Sequence, residues 1–529
     1  MEELFVAMKM ASSVILFGTL SWILYVCVNK WYESERIRRK LINQGISGPP
    51  PFFLRGNLPD MQRIRAKVSD TIKAPSSCNN SSDKFLAHDD HIATIFPYFE
   101  HWRKQYGRLY TYSTGMKHHL YVNEPELVRE INQCNTLDLG KPSHNSKKIG
   151  PLFGNGIVRA NGLSWAHQRK LLAPEFFMDK VKGMVDLIVK SAQPLLTKWE
   201  ECIEAQGGGN GIAEVTVDAD LRGFSANVIS MVCFGHSYSK GKEIFEKIRT
   251  LKDAIANSGY LFGISSFRGT MKQSEIGNLE KEIETLIWEL VKERKASSSS
   301  EKDVLQSLLE AAKNDENQGL GEKFCKQFIV DNCKNLYLAG HETTTIAASW
   351  SLMLLALYPE WQDRIRTEVA QYCPNGIPNT DSLPLLKTVT MVIQEVLRLY
   401  PPGVFVAREA YEDVQIGNLH VPKGVNIWTL VPTLHRDPEI WGPDANKFKP
   451  ERFKDGVSKA CKFPQSYAPF GLGARLCVGK NLGMMELKIV LALIISKFNL
   501  SLSPCYKHSP AFKILVEPEH GVQLLIQKI

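Results

Sequence analysis

Phe470-Gly471-Leu472-Gly473-Ala474-Arg475-Leu476-Cys477-Val478-Gly479 places one cysteine in a glycine-crowded turn, with an arginine two residues before it. Directly after it, Asn481 to Phe498 is apolar with a helical period. A thiol at the start of a helix meets backbone N–H groups and the positive end of the helix dipole, a bias toward thiolate. Arg475 adds positive charge, and Gly471, Gly473 and Gly479 carry no Cβ to keep a large flat partner away.

One thiolate held open, with no second cysteine nearby, suits an axial ligand to haem iron and not a tetrahedral zinc site. The competing reading is a buried structural cysteine in a turn, the ordinary fate of a single cysteine among eleven. The pattern Phe-x-x-Gly-x-Arg-x-Cys-x-Gly resembles the haem-binding loop of the cytochrome P-450 family, the haem-thiolate monooxygenases. The resemblance implies Cys477 as the ligand of the iron, with Phe470, Arg475 and Gly479 against the porphyrin.

The 529 residues exceed what one small core organises, so one large domain or two are expected. A hydrophobic share of 44% leaves material for an internal cofactor pocket. The net charge of +8 comes without a basic run interleaved with aromatics, so nucleic acid is excluded as a partner. The cysteines are odd in number and form no Cys-x-x-Cys pair, which points to a reducing compartment.

Between Lys9 and Lys30 no residue is charged, long enough for a helix to cross the hydrocarbon layer. Lys30, Arg36, Arg38, Arg39 and Lys40 follow it while Glu2 and Glu3 precede it, which leaves the bulk of the chain in the cytosol. A cleaved signal peptide is the alternative, but no small-residue cleavage site precedes the basic run. The expected organisation is therefore a membrane anchor over 1–30, a basic and proline-rich linker over 31–52, and one catalytic domain over 53–529. The sequons in Asn79-Asn80-Ser81-Ser82 would be silent in that orientation.

Further along, Gly48-Pro49-Pro50-Pro51 reads as a stiff spacer and resembles the family's proline-rich hinge. Ala74 to Asp90, Gly207 to Gly211, Ser297 to Ser300 and Leu139 to Val158 read as loops. Arg108 to Tyr112 and His119 to Val122 read as a β-hairpin, and Asn418 to Leu430 and Val516 to Ile526 as further strands. Trp165 and Arg169, four apart, share one helix face. By resemblance they donate to a haem propionate, as does Arg408 at the end of Val404-Phe405-Val406-Ala407.

Phe324 to Leu357 is apolar on most faces, the profile of a helix crossing a core. Inside it, Ala339-Gly340-His341-Glu342-Thr343-Thr344 sets a helix-weakening glycine beside a carboxylate, which argues for a groove with a function. The stretch resembles the family's oxygen-activating motif, with Glu342 as acid and Thr343 as alcohol. Glu395 and Arg398 form an i,i+3 pair among apolar neighbours. By resemblance Arg452 joins them in a structural network. His435 reads as a structural hydrogen bonder.

The resemblance runs from residue 48 to the end. It implies a mainly α fold with a small β portion, the cytochrome P-450 fold, preceded by one transmembrane helix. It further implies haem b, dioxygen chemistry, and an endoplasmic reticulum membrane location. No Rossmann or P-loop fingerprint encodes a flavin or NADPH site, so electrons would come from an NADPH–cytochrome P-450 reductase. The basic surface near Arg475 and Lys480 would dock it.

Around Phe99 to Gly107 and Tyr467 to Gly473 the chain is similar to plant members of the family. The branch it resembles oxidises gibberellins and kaurenoid diterpenoid acids and, in some members, pentacyclic triterpenoid acids. The substrate class implied is an apolar terpenoid acid, and Lys141, Lys147, Lys148 and Lys513 are candidate cations for its carboxylate. Two readings of other classes stay open: a haem-thiolate isomerase that needs no reductase, and a non-catalytic sterol- or terpenoid-binding haem protein.

Overall fold

The computed structural model describes residues 2–72, 91–134, 136–206, 211–235, 238–257, 272–296, 303–317 and 321–529. The loops expected at Ala74 to Asp90 and Ser297 to Ser300, and most of Gly207 to Gly211, lie outside the described residues. Helices dominate, with four small sheets beside them.

The helix Glu322–Leu357, called here the central helix, crosses the main core. Its glycine and β-branched residues are poor helix formers, so packing and not propensity holds it. Trp350, Leu352, Met353, Leu354 and Leu355 are wholly buried, each worth roughly 1.5–3 kcal/mol relative to exposure. It runs unbroken past Gly340, whose missing Cβ admits Ile229 of the helix Val217–Phe234: a Cβ there would lie 2.5 Å from Ile229 Cδ1. The glycine thus serves close helix packing.

The second core helix, Lys480–Lys497, begins three residues after Cys477 and buries Leu487, Ile489, Val490, Leu491 and Ile494. The largest sheet orders its strands as Leu109–Thr114, Lys117–Val122, Asn426–Leu430, Phe405–Ala410 and Leu139–Gly140. Its first pair is the expected hairpin, with Tyr110 opposite Tyr121. The two stretches read as single further strands are each split by a turn: Leu419–Val421 from Asn426–Leu430, and Leu515–Pro518 from Gln523–Lys528.

Two expectations are corrected, and a third is made more specific. Within Leu139 to Val158 the chain forms the helix Ser143–Phe153, where Gly150 and Pro151 conceal the period from the sequence. The helix that starts at Glu2 continues to Ile42, so the first part of the linker is helical, with Leu41 wholly buried against the catalytic domain. The proline stretch, read as a stiff spacer, is fastened to the domain. The Thr111 N–H donates to Ser47 O at 2.9 Å, Asn57 Nδ2 donates to Pro50 O at 3.0 Å, and a Cβ on Gly48 would collide with Thr111 O.

Candidate functional site

Between the central helix and the Cys477 loop lies about 1450 Å³ of unfilled space, its mouth included. Ala339, Gly340, Thr343, Thr344 and Ala347 of the central helix line it, spaced at helical period, so one helix face looks into the cavity. Cys477, Val478 and Gly479 line it from the loop, and Phe405, Val406 and Arg408 from the strand Phe405–Ala410.

The loop is fixed by its backbone. The Cys477 N–H donates to Phe470 O at 2.9 Å, and the following helix is entered through Gly479. Gly473 has φ 67° and packs so closely on Asn132 O that a Cβ would collide with it. Its absent side chain therefore brings the loop against the helix Pro125–Gln133 and not against a flat partner. Cys477 is exposed by surface area yet enclosed by protein, because the exposure is to the cavity it lines. Burial pushes its thiol up, and the Gly479 and Lys480 backbone hydrogen bonds, with Arg169 nearby, offset this only in part. The helix-start bias toward thiolate is present but outweighed; a bound cation would reverse the balance.

At one part of the cavity wall Lys141, Arg408 and Arg475 gather. Burial, then the neighbouring Arg408 and Arg475, push the Lys141 ammonium down to about 7. Burial, then Arg475, take Arg408 down to about 10, and burial takes Arg475 down to about 10. No carboxylate relieves any of the three among the described residues. A group of cations, Arg408 buried and Lys141 and Arg475 half-buried, without an internal anion among the described residues is built to receive one from outside. Arg475 donates to Ala160 O and to Asn161 Oδ1, each at 3.0 Å, and its guanidinium lies 4.3 Å from the Trp165 ring centroid. It is therefore turned inward and not free for docking, whereas Lys480 is exposed.

Trp165 and Arg169 stand behind this group. Arg169 Nη1 donates to Leu476 O at 2.6 Å, so it braces the cysteine loop, and Trp165 supports Arg475. Neither lines the main cavity. Sequence reasoning missed Asn161. It accepts from the Lys141 N–H at 2.7 Å and donates to Tyr411 Oη at 2.6 Å, tying Lys141 to Arg475.

Thr343 faces the cavity and donates to Ala339 O at 2.8 Å. Glu342 does not face it. One residue along a helix turns the side chain about 100°, and Glu342 points into a buried charge cluster instead. Lys252 Nζ lies 2.7 Å from Glu342 and 2.8 Å from Glu517, and His341 Nε2 lies 3.2 Å from Glu342. Burial opposes its charge, but the His341 hydrogen bond and the Lys252 ammonium hold the carboxyl well below the usual range. The acid expected beside the cavity is thus a paired structural carboxylate.

Glu486, also missed, is wholly buried and lines the cavity; burial drives its carboxyl well up despite the Ser225 hydrogen bond at 3.0 Å.

Glu395, Arg398 and Arg452 come together. Arg398 donates to both Glu395 oxygens at 2.7 Å and to the carbonyls of His435, Ala445 and Lys447, which uses all five N–H groups. Arg452 Nε lies 3.4 Å from Glu395. His435 carries this network to the loop: the Ala468 N–H donates to Nε2 at 2.9 Å, which leaves Nδ1–H for Arg398 O at 3.0 Å. Of the lysines considered for an acid substrate, Lys147 lies outside the described side chains, Lys148 is exposed, and Lys513 pairs with Glu517 at 3.3 Å. Only Lys141 lines the cavity.

A long core helix, a cysteine loop and an enclosed apolar cavity with an unpaired cation group define a haem-thiolate class of fold. The family model described as Cytochrome P450 matches residues 87–526, and the chain belongs to that family. It is similar to cytochrome P450 714A2 of Arabidopsis thaliana, 52% identical over 522 residues and 97% of each chain. It is also similar to cytochrome P450 714C2 of Oryza sativa subsp. japonica, 47% identical over 96% of this chain and 95% of the relative. Cytochrome P450 714B3 of Zea mays is 46% identical over 99% and 98%. The chain is accordingly an oxidoreductase, a cytochrome P450 monooxygenase, and membership implies haem. The residues present fit that group: a sulfur open to the cavity, and cations that lack the two carboxylates haem would bring.

Proposed function

We propose that this enzyme is a membrane-anchored haem-thiolate monooxygenase that hydroxylates a terpenoid acid, a gibberellin or kaurenoid diterpenoid acid first among them. The observation that carries the haem-thiolate part is the Cys477 sulfur opening into a cavity whose wall holds three unpaired cations. Haem, when bound, supplies dioxygen activation and the oxidising power for an unactivated C–H bond. Cys477 would be the sulfur ligand, and the backbone N–H groups of Gly479 and Lys480 would stabilise its negative charge. Arg408, Arg475 and Lys141 would hold the two propionates, with Trp165 and Arg169 bracing the cations and the loop from behind. Phe470, Gly479 and the central helix would enclose the group.

Thr343 is the cavity hydroxyl that relays a proton. Its bond to Ala339 O leaves the oxygen free to accept, so it orients a water within the cavity. The apolar lining from Ile157, Phe176, Leu336 and Phe405 excludes bulk water and suits a hydrocarbon skeleton. Electrons come from an NADPH–cytochrome P450 reductase, docked on the surface near Lys480. The anchor sits in the endoplasmic reticulum membrane with the catalytic domain in the cytosol. The support for the anchor is the apolar helix Met8–Ile42, which among the described residues is alone long and apolar enough to span.

The test is turnover of the full chain with reductase and NADPH in lipid nanodiscs, read by mass spectrometry for addition of one oxygen. Diterpenoid acids are expected to convert and pentacyclic triterpenoid acids to convert more slowly; the reverse order would reassign the substrate class. Equal affinity for acids and their methyl esters would remove recognition of the carboxylate. In the same assay Thr343→Ala is expected to keep consuming NADPH while product falls on the order of 10²-fold. Unchanged coupling would exclude the relay.

A further inference from the structure

Asp331, Asn332 and Asn335 of the central helix are polar, yet almost wholly buried. Their spacing of i, i+1 and i+4 puts them on one side of the helix, upstream of Thr343. Burial of such groups is costly unless each finds a hydrogen bond. All three find theirs in one short stretch, the loop that follows the helix Ser143–Phe153. Asp331 Oδ2 accepts from the Asn155 N–H at 2.7 Å, Asn332 Oδ1 from the Ile157 N–H at 3.1 Å, and Asn335 Oδ1 from the Val158 N–H at 2.9 Å. Asn335 Nδ2 donates in turn to Phe153 O at 2.7 Å and to Asp331 O, so its oxygen and both N–H groups are engaged.

The loop is shaped to the same three side chains. A Cβ on Gly154, at φ 52°, would collide with the Asp331 carboxylate, and one on Gly156 with the Asn335 amide. Arg159 Nη1 donates to Gly154 O at 2.6 Å and closes the loop on itself. Behind it, Lys334 Nζ lies 3.3 Å from Asp331 and 3.1 Å from Glu284, which ties the arrangement to the helix Gln273–Ala296. The backbone so pinned belongs to Ile157 and Val158, which line the cavity beside Leu336 and Ala339. Both are β-branched and stiff at χ1, so fixing their backbone fixes where their methyl groups stand.

We infer that Asp331, Asn332 and Asn335 are specificity-determining positioning residues: they hold Ile157 and Val158 as a preset wall of the cavity, and the place of that wall decides which carbon of the substrate is presented for oxidation. Asn335 lines the cavity too, but with its amide committed to the loop it shapes the pocket and does not bind the substrate's polar groups. Without these bonds the loop would order only around a bound molecule and would close on many shapes. The inference rests on the proposed oxidation of an apolar skeleton in this cavity.

The experiment uses the haem-loaded full chain in lipid nanodiscs. Hydrogen–deuterium exchange without substrate is expected to find the amides of Asn155, Ile157 and Val158 protected; rapid exchange there, in the unaltered chain, overturns the preset wall. Asn335→Ala is expected to speed exchange at Val158 by about tenfold, the worth of one hydrogen bond. Gly156→Ala, which pushes on the wall from the loop side, is expected to do the same with Asn335 in place. With a kaurenoid diterpenoid acid as the probe, both variants are expected to raise the ratio of minor to major hydroxylation products about tenfold. Faster exchange with an unchanged ratio overturns the role in specificity. A changed ratio with unchanged exchange would mean that Asn335 meets the substrate itself, and overturns the positioning role. If the unaltered chain leaves the diterpenoid acid unconverted, the substrate reading fails, and the wall stands or falls on the exchange alone.

Discussion

Arg398 and Arg408 are both buried, and the fold treats them in opposite ways. Arg398 has every N–H satisfied, by the Glu395 carboxylate and three carbonyls. Among the described residues Arg408 donates only to Ala407 O at 3.0 Å and Asn132 Oδ1 at 3.4 Å, and its neighbours across the cavity wall are Arg475 and Lys141, both cations. The first arginine completes the protein by itself. The second is an unfinished electrostatic arrangement that only an anion from outside completes. Burial of charge thus marks structure where the partner is internal and a binding site where it is absent.

Substitution separates the two most strongly. Arg398→Met leaves Glu395 buried without its main partner, and we expect a loss of about 3–5 kcal/mol in chemical denaturation, enough to leave little folded protein. Arg408→Met removes an uncompensated charge, so the haem-free chain is expected to lose no stability, while haem binding weakens by about tenfold or more, roughly one charge-assisted contact. If both substitutions cost stability alike, the contrast is void.

Much of this was legible in advance, and the reason is local. The central helix was expected over Phe324 to Leu357 and spans Glu322–Leu357, because a long period survives one glycine. Asn481 to Phe498 against Lys480–Lys497 succeeds for the same reason. What escaped depends on distant partners. Lys252 meets Glu517 across 265 positions, and no spacing rule announces that Glu342 will turn to it and away from the cavity. Asn161 and Glu486 matter only through the walls they adjoin, and the helix Ser143–Phe153 was hidden by its own glycine and proline.

Acidity provides a finer separation. Lys141, held down at about 7 without a bound anion, regains its proton when propionates arrive, whereas Cys477 gives up its proton to bind iron. Below about pH 7 only the thiol changes, one proton leaves on binding, and haem affinity should rise about tenfold per pH unit. Above about 7 the Lys141 uptake cancels that release and the curve should flatten. In Lys141→Met the rise should continue to higher pH, and an unchanged profile would place the propionates elsewhere.

The satisfied network has its own response to acid. Burial pushes His435 down to about 3, then the Arg398 and Arg436 charges act in the same sense against the hydrogen bond to Arg398 O. The unfolded chain binds the proton near 6.5 and the folded chain does not, so stability falls as pH drops from about 6.5 toward 3. His435→Gln should flatten that limb of the denaturation-midpoint profile; an unaltered limb would assign the acid sensitivity to other groups.

The most direct test of the central claim is the absorption spectrum of the reduced, carbon monoxide-bound protein. A sulfur ligand from Cys477 predicts the long-wavelength Soret band of a thiolate-bound haem, absent in a folded, haem-loaded Cys477→Ala variant. The same band in that variant, or the shorter-wavelength band of imidazole ligation in the unaltered protein, would contradict it.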